Sequence, residues 1–215
     1  MLEPMADFFE SRLGGYDTHM MQNIHGAEEF YPFTAQCLPQ RQKCRILDLG
    51  CGTGLELEHY FPLCPTAHII GIDLSAAMLE ALRQKFTGKD LTLLCVSYFD
   101  AEFPQNLDAA VSVESLHHFT KAEKIPLYAK LHTALKDDGY FILTDYFAAS
   151  EEEEQLHRQT YLAERKAQGI TDEGFYHYDT PLTVQHETEA LLEAGFSSVE
   201  VLRNWQATYT IKAYK

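Results

Sequence analysis

The chain has 215 residues, enough for one substantial hydrophobic core and short for two ordinary domains. Its 32 acidic residues outweigh 17 basic ones, and the formal charge of −15 repels a polyphosphate backbone, which argues against a nucleic-acid partner. Five scattered cysteines, Cys37, Cys44, Cys51, Cys64 and Cys95, contain no C-x-x-C pair and so support neither a disulfide framework nor a zinc knuckle. No apolar run reaches the roughly 18 residues of a membrane span, and the acidic start MLEPMADFFE lacks the basic and apolar parts of a leader. The expectation is a cytoplasmic protein with no membrane partner.

In chain order, helical spacing appears around Phe8 to Leu13 and Ala27 to Leu38. Between them, residues 14–26 carry Tyr16, His19 and His25 with two glycine hinges. Alternating strand-like and helix-like segments then predict a parallel sheet covered by helices. The predicted strands are Arg45 to Leu49, His68 to Asp73, Leu91 to Val96, Leu107 to Val113 and Tyr140 to Tyr146; the helices are Leu55 to Phe61, Ala76 to Phe86 and Ala122 to Leu135. Ser75 is a suitable N-cap, and KDDG ending at Gly139 reads as a helix stop. The acidic run Glu151 to Glu154 opens a helix to about Gln168, where negative charge favours the N-terminus. A loop with FYHYDTP (175–181), a helix from Thr183 to Ala194, and strands Ser198 to Asn204 and Ala207 to Lys215 follow. Only Trp205 and Gln206 separate those strands, which predicts an antiparallel hairpin.

The stretch RILDLGCGTGLELEHY (45–60) runs a strand into Gly50, Gly52 and Gly54 and then into a helix. Glycines there permit close backbone approach of a ligand to the unpaired amides of a helix start. Asp73 ends the next strand, where a carboxylate accepts both hydroxyls of a ribose. A dinucleotide loop follows G-x-G-x-x-G; here the third glycine comes one residue early, and Asp48 leads the loop. A carboxylate at that point opposes a pyrophosphate and suits a cationic amino-acid head, which favours a sulfonium ligand over NAD.

ILDLGCGTG and GIDLSAAML resemble the first two motifs of the class I S-adenosylmethionine-dependent methyltransferases. LDAAVSVESLHHF and LHTALKDDGYFILTDYF resemble the fourth-strand and fifth-strand segments of that family, so the likeness spans roughly residues 44–147. The resemblance implies an α/β Rossmann-like class I methyltransferase fold: a seven-stranded, mostly parallel sheet with a C-terminal antiparallel hairpin, helices on both faces, N-terminal helices, and a lid insertion after the fifth strand. It implies one domain, with a helical cap (1–43), a cofactor-binding core (44–147), a lid (148–182) and a closing helix and hairpin (183–215). S-adenosylmethionine is the implied cofactor. Asp48, Gly50, Gly52 and Gly54 are implied to shape the methionine side of its pocket, with Cys51 in the same loop; Asp73 to hold the ribose, with Leu74 against the adenine; and Met78 is also assigned to cofactor binding. Family members often carry Gly-Asp-Ala after the third strand. Ser97 and Tyr98 stand here instead and are assigned to the ring by position alone. Glu114 is placed beside the methionine part, and Tyr16 is the expected contact from the N-terminal segment. The loop after the fourth strand reads VESLHH, without the Asn/Asp-Pro-Pro-Tyr with which the family grips planar amino groups, so a nucleobase acceptor is disfavoured.

Methyl transfer from a sulfonium needs alignment and exclusion of water, and a general base only where the acceptor must lose a proton. Side chains at the C-terminal strand ends face the ligand crevice, which selects His117 and Tyr146, with His177 from the loop, as catalytic candidates; His118, Tyr178 and Asp179 lie nearby in sequence. His117 and His118 with Asp179 or His177 could make a hard or borderline metal site, but no H-x-x-x-H or E-x-x-H pair occurs in these segments, so no metal is expected. The expected activity is O- or N-methylation of a small molecule by a monomer or homodimer. The alternatives are a protein that binds the cofactor without transferring its methyl group, or an NAD-type oxidoreductase, which requires a final parallel strand.

Overall fold

A computed structural model describes all 215 residues. Three helices precede the sheet: α1 (Met5–Arg12), α2 (Tyr16–Asn23) and α3 (Ala27–Cys37). The core then alternates as β1 (Arg45–Leu49), α4 (Leu55–Leu63), β2 (His68–Asp73), α5 (Ala76–Lys85), β3 (Asp90–Cys95), β4 (Leu107–Val113), α6 (Lys121–Ala134) and β5 (Leu135–Tyr146). Helices α7 (Glu151–Ala167) and α8 (Val184–Glu193) lead to the hairpin β6 (Ser198–Trp205) and β7 (Thr208–Tyr214).

The seven strands form one sheet in the order β3-β2-β1-β4-β5-β7-β6. The first five are mutually parallel; β7 runs antiparallel to both β5 and β6. Chain order reverses between β1 and β4, and ligands of such sheets bind at the C-terminal strand ends beside that point. The antiparallel close removes the final parallel strand that the oxidoreductase reading requires.

Side chains alternate across each strand, which divides the core in two. Ile46 and Ile69 pack with α3, α4 and α5; Leu47, Leu49, Ile70 and Ile72 pack with α6 and α8. Gly71 belongs to the α4 side, where a Cβ would lie 2.7 Å from the Cys51 Sγ. The space left by that glycine is therefore filled by the loop cysteine.

Two local differences from the sequence reading have physical reasons. Residues 16–23, expected only as a hinge-bounded segment, form α2, whose Asp17 accepts hydrogen bonds from Thr53 (2.5 Å) and Lys85 (2.7 Å). KDDG is not a terminal loop: α6 ends at Ala134 and β5 starts at Leu135, because Leu135 pairs with Leu107 before the register shifts. Helix α7 has no fully buried side chain; besides its Ser150 cap and acidic first turn it is tied down by Glu154, which accepts from the Thr183 amide, and by Tyr161 stacked on Tyr178. No helix is long and apolar enough to cross a membrane.

Candidate active site

Strand β1 ends at Leu49, and the chain turns through Gly50, Gly52 and Gly54 with φ of 72°, 47° and 74°. The turn is tied to β2, since the Gly50 and Cys51 amides donate to the Ile72 carbonyl (2.8 and 3.2 Å). A Cβ on Gly50 would lie 2.0 Å from the Ser115 Oγ, so both conformation and space require glycine there. Asp73 completes the loop by accepting from the Gly52 amide (2.9 Å) and the Ser75 amide (2.8 Å). Burial raises its pKa, and the same two amides oppose that rise.

Around this loop lies a narrow cavity walled by Gly50, Gly52, Asp73, Leu74, Met78, Tyr98, Glu114 and Ser115, and roofed by Met5, Phe9 and Tyr16. Its free volume is about 50 Å³, below the roughly 300–1,000 Å³ of typical ligand pockets. The roof is thus seated on the loop. It is held there through the chain's first residues: the Met5 amide donates to the Phe175 carbonyl and the His177 amide to the Glu3 carbonyl, both at 2.9 Å.

A second cavity of about 840 Å³ adjoins the first. Phe9, Tyr16 and Glu114 line both. The larger one is also walled by Phe8, Arg12, His19, His25, Tyr146, Trp205 and Thr208, and it ends on His117, His118, His177 and Asp179.

The polar end of this cavity is built from three segments. Buried Asp145, at the end of β5, accepts from the Leu116 amide (2.8 Å), the Tyr146 amide (2.9 Å) and His117 Nδ1. His117 and His118 occupy a single helical turn after β4. The turn is clamped from the far side by the Thr180 amide, which donates to the His117 carbonyl (2.9 Å). Burial pushes the His117 pKa down, but the adjacent Asp145 more than offsets this and holds it well above the ordinary value. Burial and the neighbouring His117 lower His118. Burial, with His118 beside it, takes His177 down to about 4. Asp179 is raised by burial yet held well below the carboxylate range by His117 and His118. Charge therefore alternates along Asp145, His117 and Asp179.

His117, His177 and Tyr146 all line the large cavity; Tyr16, Gly50, Gly52, Asp73, Leu74, Met78, Tyr98 and Glu114 line the narrow one. Four other named residues line neither. Alternation along β1 turns Asp48 onto the α4 face, where it meets Glu56; both are buried, and Asp48 Oδ2 and Glu56 Oε1 have no hydrogen-bond partner. Burial, with Glu56 beside it, raises Asp48. Cys51 points toward Gly71, a Cβ on Gly54 would lie 2.8 Å from Phe86, and the Ser97 hydroxyl accepts from the Phe99 amide (3.2 Å). Sequence reasoning missed Asp145, Phe9 and Ser115. Asp145 had a visible signal, a lone acid ending the apolar run FILTD of a buried strand; Phe9 had none beyond helical spacing.

A family model described as a methyltransferase domain matches residues 46–139, the segment that builds the glycine loop, Asp73 and the β4 end. The matched segment and the methyltransferase relatives support a class I S-adenosylmethionine-dependent methyltransferase, with S-adenosylmethionine as its cofactor. Among relatives, the chain is 28% identical over 189 residues to the carboxy-S-adenosyl-L-methionine synthase of Nitratiruptor sp., covering 81% of this chain and 77% of that protein. It is 30% identical to the 18S rRNA (guanine-N(7))-methyltransferase of Bos taurus over 133 residues, 57% of this chain and 46% of that one. Among solved structures, the DhpI–SAH complex superposes with a TM-score of 0.71 at 15% identity, covering 97% of this chain and 93% of DhpI. That likeness establishes the fold.

Proposed function

We propose that the protein transfers the methyl group of S-adenosylmethionine to an oxygen or nitrogen of a small molecule held in the 840 Å³ cavity. The observation that carries this reading is the wall of Phe9, Tyr16 and Glu114 shared by the two cavities. S-adenosylmethionine would be held by Asp73 at its nucleoside and beside Glu114 at its methionine part, and would supply an activated methyl group to an acceptor in the larger space. In this reading Gly50 and Gly52 admit the methionine portion, Leu74, Met78 and Tyr98 flank the adenine, and Tyr16 closes over both. Asp48, Cys51, Gly54 and Ser97 shape the loops from behind.

When bound, the cofactor would supply its methyl group by in-line displacement at the carbon–sulfur bond, and a hydroxyl or amine acceptor would have a proton to lose. His177 is a neutral imidazole at pH 7 and is the available proton acceptor. His117, clamped by Asp145 and facing Asp179, holds the acceptor heteroatom, and Tyr146 flanks it. The cap and lid act as one cover that excludes water.

Calorimetry with S-adenosylhomocysteine and a labelled-methyl assay over an acceptor panel test this. Asp73→Ala is expected to weaken cofactor binding about tenfold or more, the loss of hydrogen bonds to a charged group. His177→Ala is expected to lower turnover about a hundredfold with cofactor affinity kept. Cofactor binding with no transfer to any acceptor, or the reverse pattern in the variants, overturns the reading. The likeness to carboxy-S-adenosyl-L-methionine synthase supports a second reading, in which the cofactor is itself the molecule modified. Mass spectrometry of the cofactor after turnover separates the two.

A further inference from the structure

The large cavity ends on three donor atoms from two distant segments. Asp179 Oδ1 lies 3.5 Å from His117 Nε2 and 3.3 Å from His118 Nδ1, and the three atoms lie within 4.8 Å of one another. Zinc bonds of about 2.0–2.1 Å at tetrahedral angles put neighbouring donors roughly 3.3–3.4 Å apart, so the two measured separations are close to edges of a coordination polyhedron. The other nitrogen of His117 is committed to Asp145, which two backbone amides also hold in place. A ligating imidazole oriented through its far nitrogen by a fixed carboxylate is the usual outer support of a metal centre. Without a cation, His118 Nδ1 donates to the Tyr178 carbonyl (3.1 Å), a hydrogen bond that ligation by this nitrogen would replace.

We propose that His117 Nε2, His118 Nδ1 and Asp179 bind a zinc-class divalent cation whose remaining positions open into the acceptor cavity. Two imidazoles and one carboxylate with open positions form the donor set of metals that bind substrate, whereas structural zinc sites are closed by four protein ligands. The inference rests on the acceptor-site reading above. There the ion, rather than His117 alone, holds the acceptor oxygen or nitrogen. The expectation of no metal drew on local spacing. Adjacent histidines show no such spacing, and Asp179 is brought in only by the Thr180 clamp on the His117 carbonyl. Without a cation, the same atoms form a hydrogen-bonded cluster with a proton in its place, and the test separates the two states.

The untagged full chain, stripped with chelator, is titrated with Co²⁺ and with Zn²⁺, with calorimetry and visible absorption as readouts. One equivalent is expected, with ligand-field bands of nitrogen and oxygen donors for Co²⁺. Affinity is expected to fall about tenfold or more in His118→Gln and in Asp179→Asn. Asp179 is 45% exposed and Asn keeps its shape; circular dichroism and the thermal midpoint of each variant show that it is folded before its uptake is read. Asp73→Ala is expected to bind the cation as the parent does. No stoichiometric uptake, or uptake unchanged in both ligand variants, overturns the cation site. S-adenosylhomocysteine binding and methyl transfer on the same samples report on the underlying reading: transfer without cation uptake removes the cation alone, and cation uptake without transfer removes the acceptor assignment.

Discussion

Glu114 shows how much a single residue bears at the junction of the two cavities. It sits just past β4 in the left-handed region at φ 49°, and Thr208 donates to its carboxyl at 3.2 Å. Burial, with Asp145 close by, pushes its pKa from 4.5 up to about 8. Between those two values the unfolded chain has lost this proton while the folded chain keeps it, so the folded state binds more protons and stability falls as pH rises. The slope from this one group is at most about 1.4 kcal/mol per pH unit. Urea unfolding of the parent and of Glu114→Gln at pH 5 and pH 8 checks this. The parent is expected to lose more stability than the variant over that interval, and equal losses would remove Glu114 as the source.

At the scale of elements, α6 and α8 are joined by a buried ion pair. Lys124 Nζ and Glu187 Oε2 lie 2.5 Å apart with each side chain 1% exposed, and the Tyr128 hydroxyl also donates to Glu187. Removing one partner strands a charge in the core, which costs about 3–5 kcal/mol, whereas replacing both with apolar residues costs much less. Denaturant unfolding of Lys124→Met against Lys124→Met/Glu187→Met is expected to show the double variant as the more stable. Neither residue stood out in the sequence, because pairing across helices leaves no local spacing. The strands and the hairpin were legible because their cues are local: apolar runs for β1, β2 and β4, and two residues between β6 and β7. The glycine loop and Asp73 were legible for the same reason. Asp48 was misplaced by one fact of strand geometry, since alternation sends it to the α4 face while its neighbours Leu47 and Leu49 face α6 and α8. The histidine end was half legible, with His117 and His177 singled out and Asp145 hidden inside an apolar strand.

For the whole molecule, a formal charge of −15 means the folded chain repels itself. Raising NaCl from about 10 mM to about 150 mM shortens the screening length from roughly 30 to 8 Å. The thermal midpoint is therefore expected to rise over that range in calorimetry, and a flat or falling midpoint contradicts the view that repulsion outweighs the surface ion pairs. The first residues of the chain matter at this scale too. Pro4 bridges Tyr176, and the backbone on either side of it is bonded to residues 175 and 177, while Met5 and Phe9 press on the glycine loop. With about 50 Å³ free beneath them, the cavity as it stands is too small for the nucleoside proposed to bind there, so binding in the proposed reading requires this clasp to open. Because Phe9 and Tyr16 wall both chambers, the same release exposes the acceptor side. On the proposed assignment the two ligands share one gate, and loosening the clasp with Phe9→Ala is expected to speed S-adenosylhomocysteine release in stopped-flow measurements, whereas an unchanged rate removes the gate.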